Sequence, residues 1–176
     1  MPVYKLYTVG HSDKPLDQFI RLLKSHTIKQ LVDVRTIPRS RHNPQFNKAD
    51  LSERLRNKGI GYRHMKQLGG LRHTKAESQN LGWENLSFRG FADYMETDEF
   101  AKAIEKLKAI ARKKRTAIMC AEAVPWRCHR SLIADALTYH HWKVFHIMSF
   151  KSTKIHKITS FLHIFKGKIA YPRIQP

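Results

Sequence analysis

Residues 120–130 read C-A-E-A-V-P-W-R-C-H-R, and the reading of this stretch decides the fold. The apolar run Thr116–Met119 precedes it and the amphipathic run Ser131–His141 follows, so it reads as the turn from a buried strand into a helix. Pro125 fixes its own φ and keeps the strand from continuing. Cys128, His129 and Arg130 then fall near the helix start. Unpaired backbone N–H groups and the helix dipole there favour an anion, or a thiolate on Cys128.

Outward from this turn the alternation of strand and helix recurs. Val3–Val9 is a short apolar and β-branched run that ends at Gly10, which makes Gly10-His11-Ser12 a strand-end loop. Ser12 or Asp13 is expected to cap the next helix, with Pro15 near its first turn and Leu16, Phe19, Ile20 and Leu23 at helical spacing. Gln30–Val34 is a second strand and carries Asp33 and Arg35 to its own end. An acidic residue in an apolar strand is costly to bury unless paired, so Asp33 is expected to bond Arg35, a backbone cap or a ligand.

Thr36 to Phe46 holds too many breakers for a regular element. A helix opens at Asn47-Lys48-Ala49-Asp50 and stops at Gly59, and a short strand follows around Gly61–Met65. Thr97 caps a strong helix whose negative end carries Lys113, Lys114 and Arg115, and Lys143–Ser149 is a fifth strand. The expected fold is therefore α/β: a single three-layer domain with an open, mostly parallel sheet of about five strands and helices on both faces. Residues 1–150 form this domain, and 151–176 form a basic extension expected to pack on it.

With the first strand central, the loops after strands one, two and four meet at the carboxyl edge of the sheet, where open α/β sheets bind ligands. His11, Ser12, Asp33, Arg35, Cys120, Glu122, Cys128, His129 and Arg130 then ring one pocket. A tyrosine-phosphatase or rhodanese-type loop is excluded, because it places Arg six positions after the nucleophilic Cys and Trp126 stands there. No P-loop and no G-x-G-x-x-G occurs, which argues against the usual nucleoside-triphosphate and dinucleotide folds. Cys120, Cys128, His129 and His11 lack a recognised zinc spacing, so no metal and no cofactor are expected.

Two chemistries remain. Asp33 and Glu122, at neighbouring strand ends, could act as base and acid on a base or glycosidic bond, with Arg35 or Arg130 holding a phosphate. Alternatively Cys120 or Cys128 is a reactive thiol whose pKa a neighbouring His or Arg lowers.

Charge narrows the substrate. Lys and Arg number 33 against 14 acidic residues, a net charge of +19, so nucleic acid or a nucleotide is the expected partner. The reading is an enzyme acting on nucleic acid or nucleotides, with a non-catalytic nucleic-acid-binding module and a thiol or redox enzyme as alternatives. The densest basic stretch is Arg35–Lys75, with 11 Lys or Arg against 2 acidic residues and with Phe46, Tyr62 and Trp83 in or near it as stacking candidates. Beyond Phe150 the chain has no acidic residue at all. Two cysteines make no disulfide framework and no apolar run is long enough to cross a bilayer, so a cytoplasmic protein with reduced thiols and no membrane insertion is expected.

Four ordered motifs carry a resemblance: T-V-G-H-S at Thr8–Ser12, D-V-R-x-x-P-x-S at Asp33–Ser40, Y-x-x-x-x-x-L-G-G at Tyr62–Gly70 and C-x-E-x-x-P-x-x-C-H-R at Cys120–Arg130. The chain resembles the family catalogued as domain of unknown function 488, from roughly Tyr4 to Ser149. The resemblance implies a compact α/β fold and gathers the same residues into one site. It adds Ser40 and Tyr62 to Ser12, Arg35, His129 and Arg130 as substrate-binding candidates, and it brings no established reaction.

Overall fold

The computed structural model describes residues 1–175. Its elements are β1 (Lys5–Gly10), α1 (Leu16–Ser25), β2 (Gln30–Asp33), α2 (Lys48–Asn57), β3 (Gly61–His64), α3 (Leu86–Tyr94), α4 (Asp98–Lys113), β4 (Thr116–Cys120), α5 (Arg130–Tyr139), β5 (Lys143–Ile147), β6 (Thr153–Ile155), β7 (His163–Phe165) and β8 (Lys168–Ala170). The main sheet is six-stranded in the order β3-β2-β4-β1-β5-β6. Its first five strands are parallel, and β6 joins antiparallel to β5. The sheet thus has one strand more than the sequence reading, contributed by the basic extension. A separate β7–β8 hairpin follows.

Side-chain alternation along the strands divides the core in two. Leu6, Val32, Ile118 and Val144 face a layer that includes Phe91, Phe100, Ile104, Leu107, Leu132 and Ile133 from α3, α4 and α5. Tyr7, Val9, Leu31, Ala117 and Met119 face Phe19, Leu23, Leu51 and Leu55 from α1 and α2. Right-handed crossovers explain the assignment: β1, β2 and β3 step toward one edge with their helices on one face, and the return through β4 to β5 puts the later helices on the other. The reversal lies beside β1 and β4. Pairing continues past those strands, since His11 N donates to Cys120 O at 2.9 Å and Ser12 N to Ala121 O at 3.0 Å.

Several local readings change. Neither Ser12 nor Asp13 caps α1; Pro15 occupies the N-cap with no side-chain hydrogen bond. The Thr36–Phe46 loop contains a 3-10 turn at Pro44–Phe46. Helix α3 went unanticipated in the acidic stretch, although Asn85 caps it well by accepting from Ser87 N and Phe88 N. Phe46 is fully buried in the core, which removes it as a stacking surface.

Residues after Phe150 are tied to the domain by more than β6. Tyr171 is completely buried, and its hydroxyl donates to Asp135 of α5 at 2.8 Å. Thr159 donates to the same carboxylate through N and Oγ1, at 3.0 and 2.7 Å. Among the described residues no helix is long and apolar enough to cross a membrane.

Candidate functional site

The loops after β1, β2 and β4 do lie together at the carboxyl edge, but the strand alternation sends their side chains to both faces of the sheet. Two clusters result.

The first is built on Asp33 and faces the α1–α2 layer. Asp33 is completely buried and accepts four hydrogen bonds: Arg35 N at 3.1 Å, Arg35 Nε at 2.9 Å, Arg35 Nη2 at 2.7 Å and the Tyr62 hydroxyl at 2.5 Å. Burial, with the Asp33 charge, pushes the Tyr62 hydroxyl pKa well up, so Tyr62 stays a donor. Arg35 also donates to Phe46 O at 2.7 Å and approaches His11 Nε2 at 3.5 Å. His11 is stacked on Phe46 with ring centroids 4.2 Å apart. Burial, together with Arg35 and Lys14, lowers its pKa from 6.5 to about 4, against the opposing pull of the Ser12 carbonyl and Asp33. Every strong donor and acceptor in this cluster is taken by another member.

The second cluster faces the α3–α5 layer. Cys120 ends β4 and Cys128 stands two residues before α5, both as free, buried thiols. Arg130 is 1% exposed; its Nε donates to Cys120 Sγ at 3.0 Å, Nη1 to Thr8 Oγ1 at 3.1 Å and Nη2 to Glu122 O at 2.8 Å. Its backbone N–H points to Cys128 Sγ at 3.4 Å. His129 Nε2 lies 2.9 Å from both Val34 O and Leu68 O, so that nitrogen carries the hydrogen and Nδ1 is left facing Cys128 Sγ at 3.5 Å.

Burial drives both thiol pKa values up, and for Cys120, whose Sγ lies 3.8 Å from Glu122 O as a donor, the neighbouring Cys128 adds to this. For Cys128 burial is outweighed by the neighbouring Cys120 thiol, by His129 and by the Arg130 charge, which pull it well below the ordinary value. Of the two thiols, Cys128 is the one whose surroundings favour the thiolate.

Two glycines make this packing possible. A Cβ on Gly10 would lie 1.8 Å from Glu122 O, and one on Gly70 would lie 2.6 Å from His129 Nδ1. The glycines of the first and third motifs are thus required by the fourth.

A cleft of about 330 Å³ opens over this second cluster, lined among others by Cys120, Glu122, Cys128 and His129. Arg39 and Arg127 line it and are exposed, and Ile37 and Leu71 give it exposed apolar walls. Ser87 and Phe88 come from the start of α3. Arg39, Leu71, Ser87 and Phe88 were missed by sequence reasoning, and the unrecognised α3 accounts for two of them. Asp33, His11, Ser12, Ser40 and Tyr62 do not line the cleft. Ser12 donates to Asp13 at 3.3 Å, and Ser40 closes its own loop by accepting from Asn43 N at 3.0 Å. Arg35 and Arg130, read as phosphate holders, have their guanidinium groups engaged inside the two clusters.

The family model described as Domain of unknown function DUF488 matches residues 15–137, more than half of the chain. The chain belongs to this family. No curated protein and no solved structure matches it. The DUF488 match contains Asp33, Arg35, Cys120, Glu122, Cys128, His129 and Arg130, and thus the core of both clusters. Thr8, Gly10 and His11 lie before it, and β5 and the basic extension lie after it.

Proposed function

We propose that this protein is an enzyme that uses Cys128 as a nucleophile on an anionic heterocyclic substrate, a nucleotide or a nucleic-acid strand. The observation that carries the reading is the setting of Cys128 Sγ: at the start of α5, approached by Arg130 N–H at 3.4 Å and His129 Nδ1 at 3.5 Å. Arg130 supports it independently. This guanidinium is buried, and no carboxylate lies within ion-pair distance of it among the described residues. The sulfur it touches is that of Cys120, at 3.0 Å, and its uncompensated charge favours a thiolate on the neighbouring Cys128.

The chemistry follows from the atoms. His129 takes the Cys128 proton on Nδ1, since Nε2 is held by two carbonyls. The thiolate attacks an electrophilic carbon and forms a C–S bond. The leaving group departs with its electron pair and takes the proton from His129 Nδ1. Water then hydrolyses the C–S bond, giving one proton to Glu122 in the cleft and regenerating the thiolate. Arg39 and Arg127 suit a phosphate, and Ile37, Leu71 and Phe88 suit the face of a base. In this reading Asp33, whose oxygens already accept four hydrogen bonds, positions Arg35 and is not the base.

Iodoacetamide alkylation of the folded protein over a pH series tests this. Cys128 is expected to react with an apparent pKa below the roughly 8.5 of an ordinary thiol, and Cys120 to react slowly. Two slow thiols would sink the proposal. A net charge of +19 favours a second reading, a nucleic-acid-binding module without catalysis, and in that case alkylating Cys128 leaves oligonucleotide binding and its salt dependence unchanged.

A further inference from the structure

A second pocket, of about 310 Å³, lies on the other side of the short 3-10 turn Pro125–Arg127. Trp126 lines this pocket and Arg127, the next residue, lines the thiol cleft. Its other walls include Trp83, His146, Lys154, His156 and Lys157. Most of these come from β5 and the basic extension, beyond the segment matched by the family.

The chemistry of the walls is specific. Trp126 is 56% exposed, an unusual place for an indole unless something covers it. Lys154 Nζ lies 5.6 Å from its ring centroid, which sets a cation beside the aromatic face. Trp83 carries a buried Nε1–H with no hydrogen-bond acceptor among the described residues, a donor the chain itself leaves unused. Among the described residues no carboxylate lines the pocket. The Asp135 carboxylate, which holds His156, is engaged by its Nε2 at 2.7 Å, by Thr159 and by Tyr171. His156 Nδ1 in turn meets His146 Nε2 at 2.9 Å, and His146 Nδ1 meets Thr8 Oγ1 at 2.6 Å, so the pocket floor is hydrogen-bonded through to Arg130.

Exposed aromatic surface beside unpaired ammonium groups is what single-stranded nucleic acid uses, bases on the rings and phosphates on the cations. Consecutive residues of one short turn, Trp126 and Arg127, line the two pockets, so neighbouring nucleotides of an extended strand can occupy both at once. We propose that the second pocket receives one unpaired base of a nucleic-acid strand, stacked on Trp126 with its phosphate on Lys154 and Lys157, while the adjoining nucleotide enters the thiol cleft. This rests on the nucleotide reading of that cleft.

The test is fluorescence anisotropy of labelled oligodeoxyuridylate, oligouridylate and a duplex of the same length, with deoxyuridine monophosphate as competitor. Either single strand is expected to bind tighter than the duplex, and the better of the two identifies the sugar. Trp126→Ala is expected to weaken that strand about ten-fold or more, and Lys154→Gln with Lys157→Gln to lower the salt slope by about two. All three residues are exposed, so these variants keep the fold and the Cys128 alkylation rate. Strand binding that is indifferent to Trp126→Ala, or displaced by the monophosphate at equal affinity, overturns the proposal. Loss of strand binding with rapid Cys128 alkylation retained would overturn this inference alone, whereas two slow thiols would overturn the reading of the cleft itself.

Discussion

Two buried arginines stand at the same edge of the sheet in opposite company. Arg35 lies against a carboxylate that accepts three hydrogen bonds from it, with Tyr62 supplying the fourth. Arg130 meets a thiol sulfur, a hydroxyl and a carbonyl oxygen. Taking a guanidinium out of water is tolerable only when an opposite charge and hydrogen bonds compensate. At Arg35 the compensation is complete and permanent. At Arg130 it depends on where the proton of a cysteine pair resides, and a group whose charge state is coupled to its neighbour in that way is the kind that can do chemistry.

The sharpest way to break this comparison is to remove the carboxylate. Asp33→Ala leaves Arg35 buried and unpaired and strips the acceptor from Tyr62, so the loss of stability should be about 3 to 5 kcal/mol, read as a lower urea midpoint. Removing the proposed anion near Arg130 by Cys128→Ala should cost visibly less, because the Arg130 guanidinium keeps its bonds to Cys120, Thr8 and Glu122 O. Equal losses would place the two arginines in the same structural class.

Acid separates the clusters in a second way. His11 belongs to the Asp33 side, facing Arg35, Asp33 and Lys14, and its pKa falls to about 4. His146 belongs to the Arg130 side, where burial, then His156, Arg130 and Lys154, lower its pKa to about 3. Both imidazoles are neutral in the folded chain, whereas the unfolded chain binds their protons below about pH 6.5. The stability each contributes is therefore complete above pH 6.5. It is lost as pH falls through the window down to about 4 for His11 and about 3 for His146, about 3 kcal/mol for the first and about 5 kcal/mol for the second. Urea melts from pH 7 to pH 4 should show this limb, and His11→Asn and His146→Gln should each flatten their share of it. An unchanged slope in either variant would mean that histidine is charged in the fold.

The sheet was legible because β1, β2, β4 and β5 carry short apolar runs, and because helices at regular intervals leave few topologies open. The convergence of the loops after β1, β2 and β4 followed from that order. What sequence could not supply was the face. Asp33 and Cys120 end adjacent strands, yet one side chain points to the α1–α2 layer and the other to the α3–α5 layer, because register fixes alternation only once the pairing is known. Pairing Asp33 with Glu122 required both to reach one cleft. Helix α3 was hidden for a different reason. Its nine residues include a mid-helix Gly90, which lowers helix propensity, and the demand for glycine there comes from the Arg72 carbonyl, 2.3 Å from where a Cβ would sit.

The smallest expected effect gives the finest distinction. Gly70→Ala would bring a methyl to 2.6 Å from His129 Nδ1. The ring is pinned at its other nitrogen by Val34 O and Leu68 O, so it must tilt away from Cys128 or give up one of those bonds. Overpacking of this kind costs about 1 to 3 kcal/mol, less than the loss at Asp33. A purely structural His129 predicts that cost and nothing more. A His129 that holds the Cys128 thiolate also predicts a raised thiol pKa, seen as alkylation slowed at neutral pH but restored at high pH. Asp33→Ala, acting on the opposite face, should leave that pH profile in place in whatever fraction stays folded. If Gly70→Ala lowers stability while the Cys128 profile stays where it was, the imidazole is a brace, and the activating charge must come from Arg130 and the start of α5 alone.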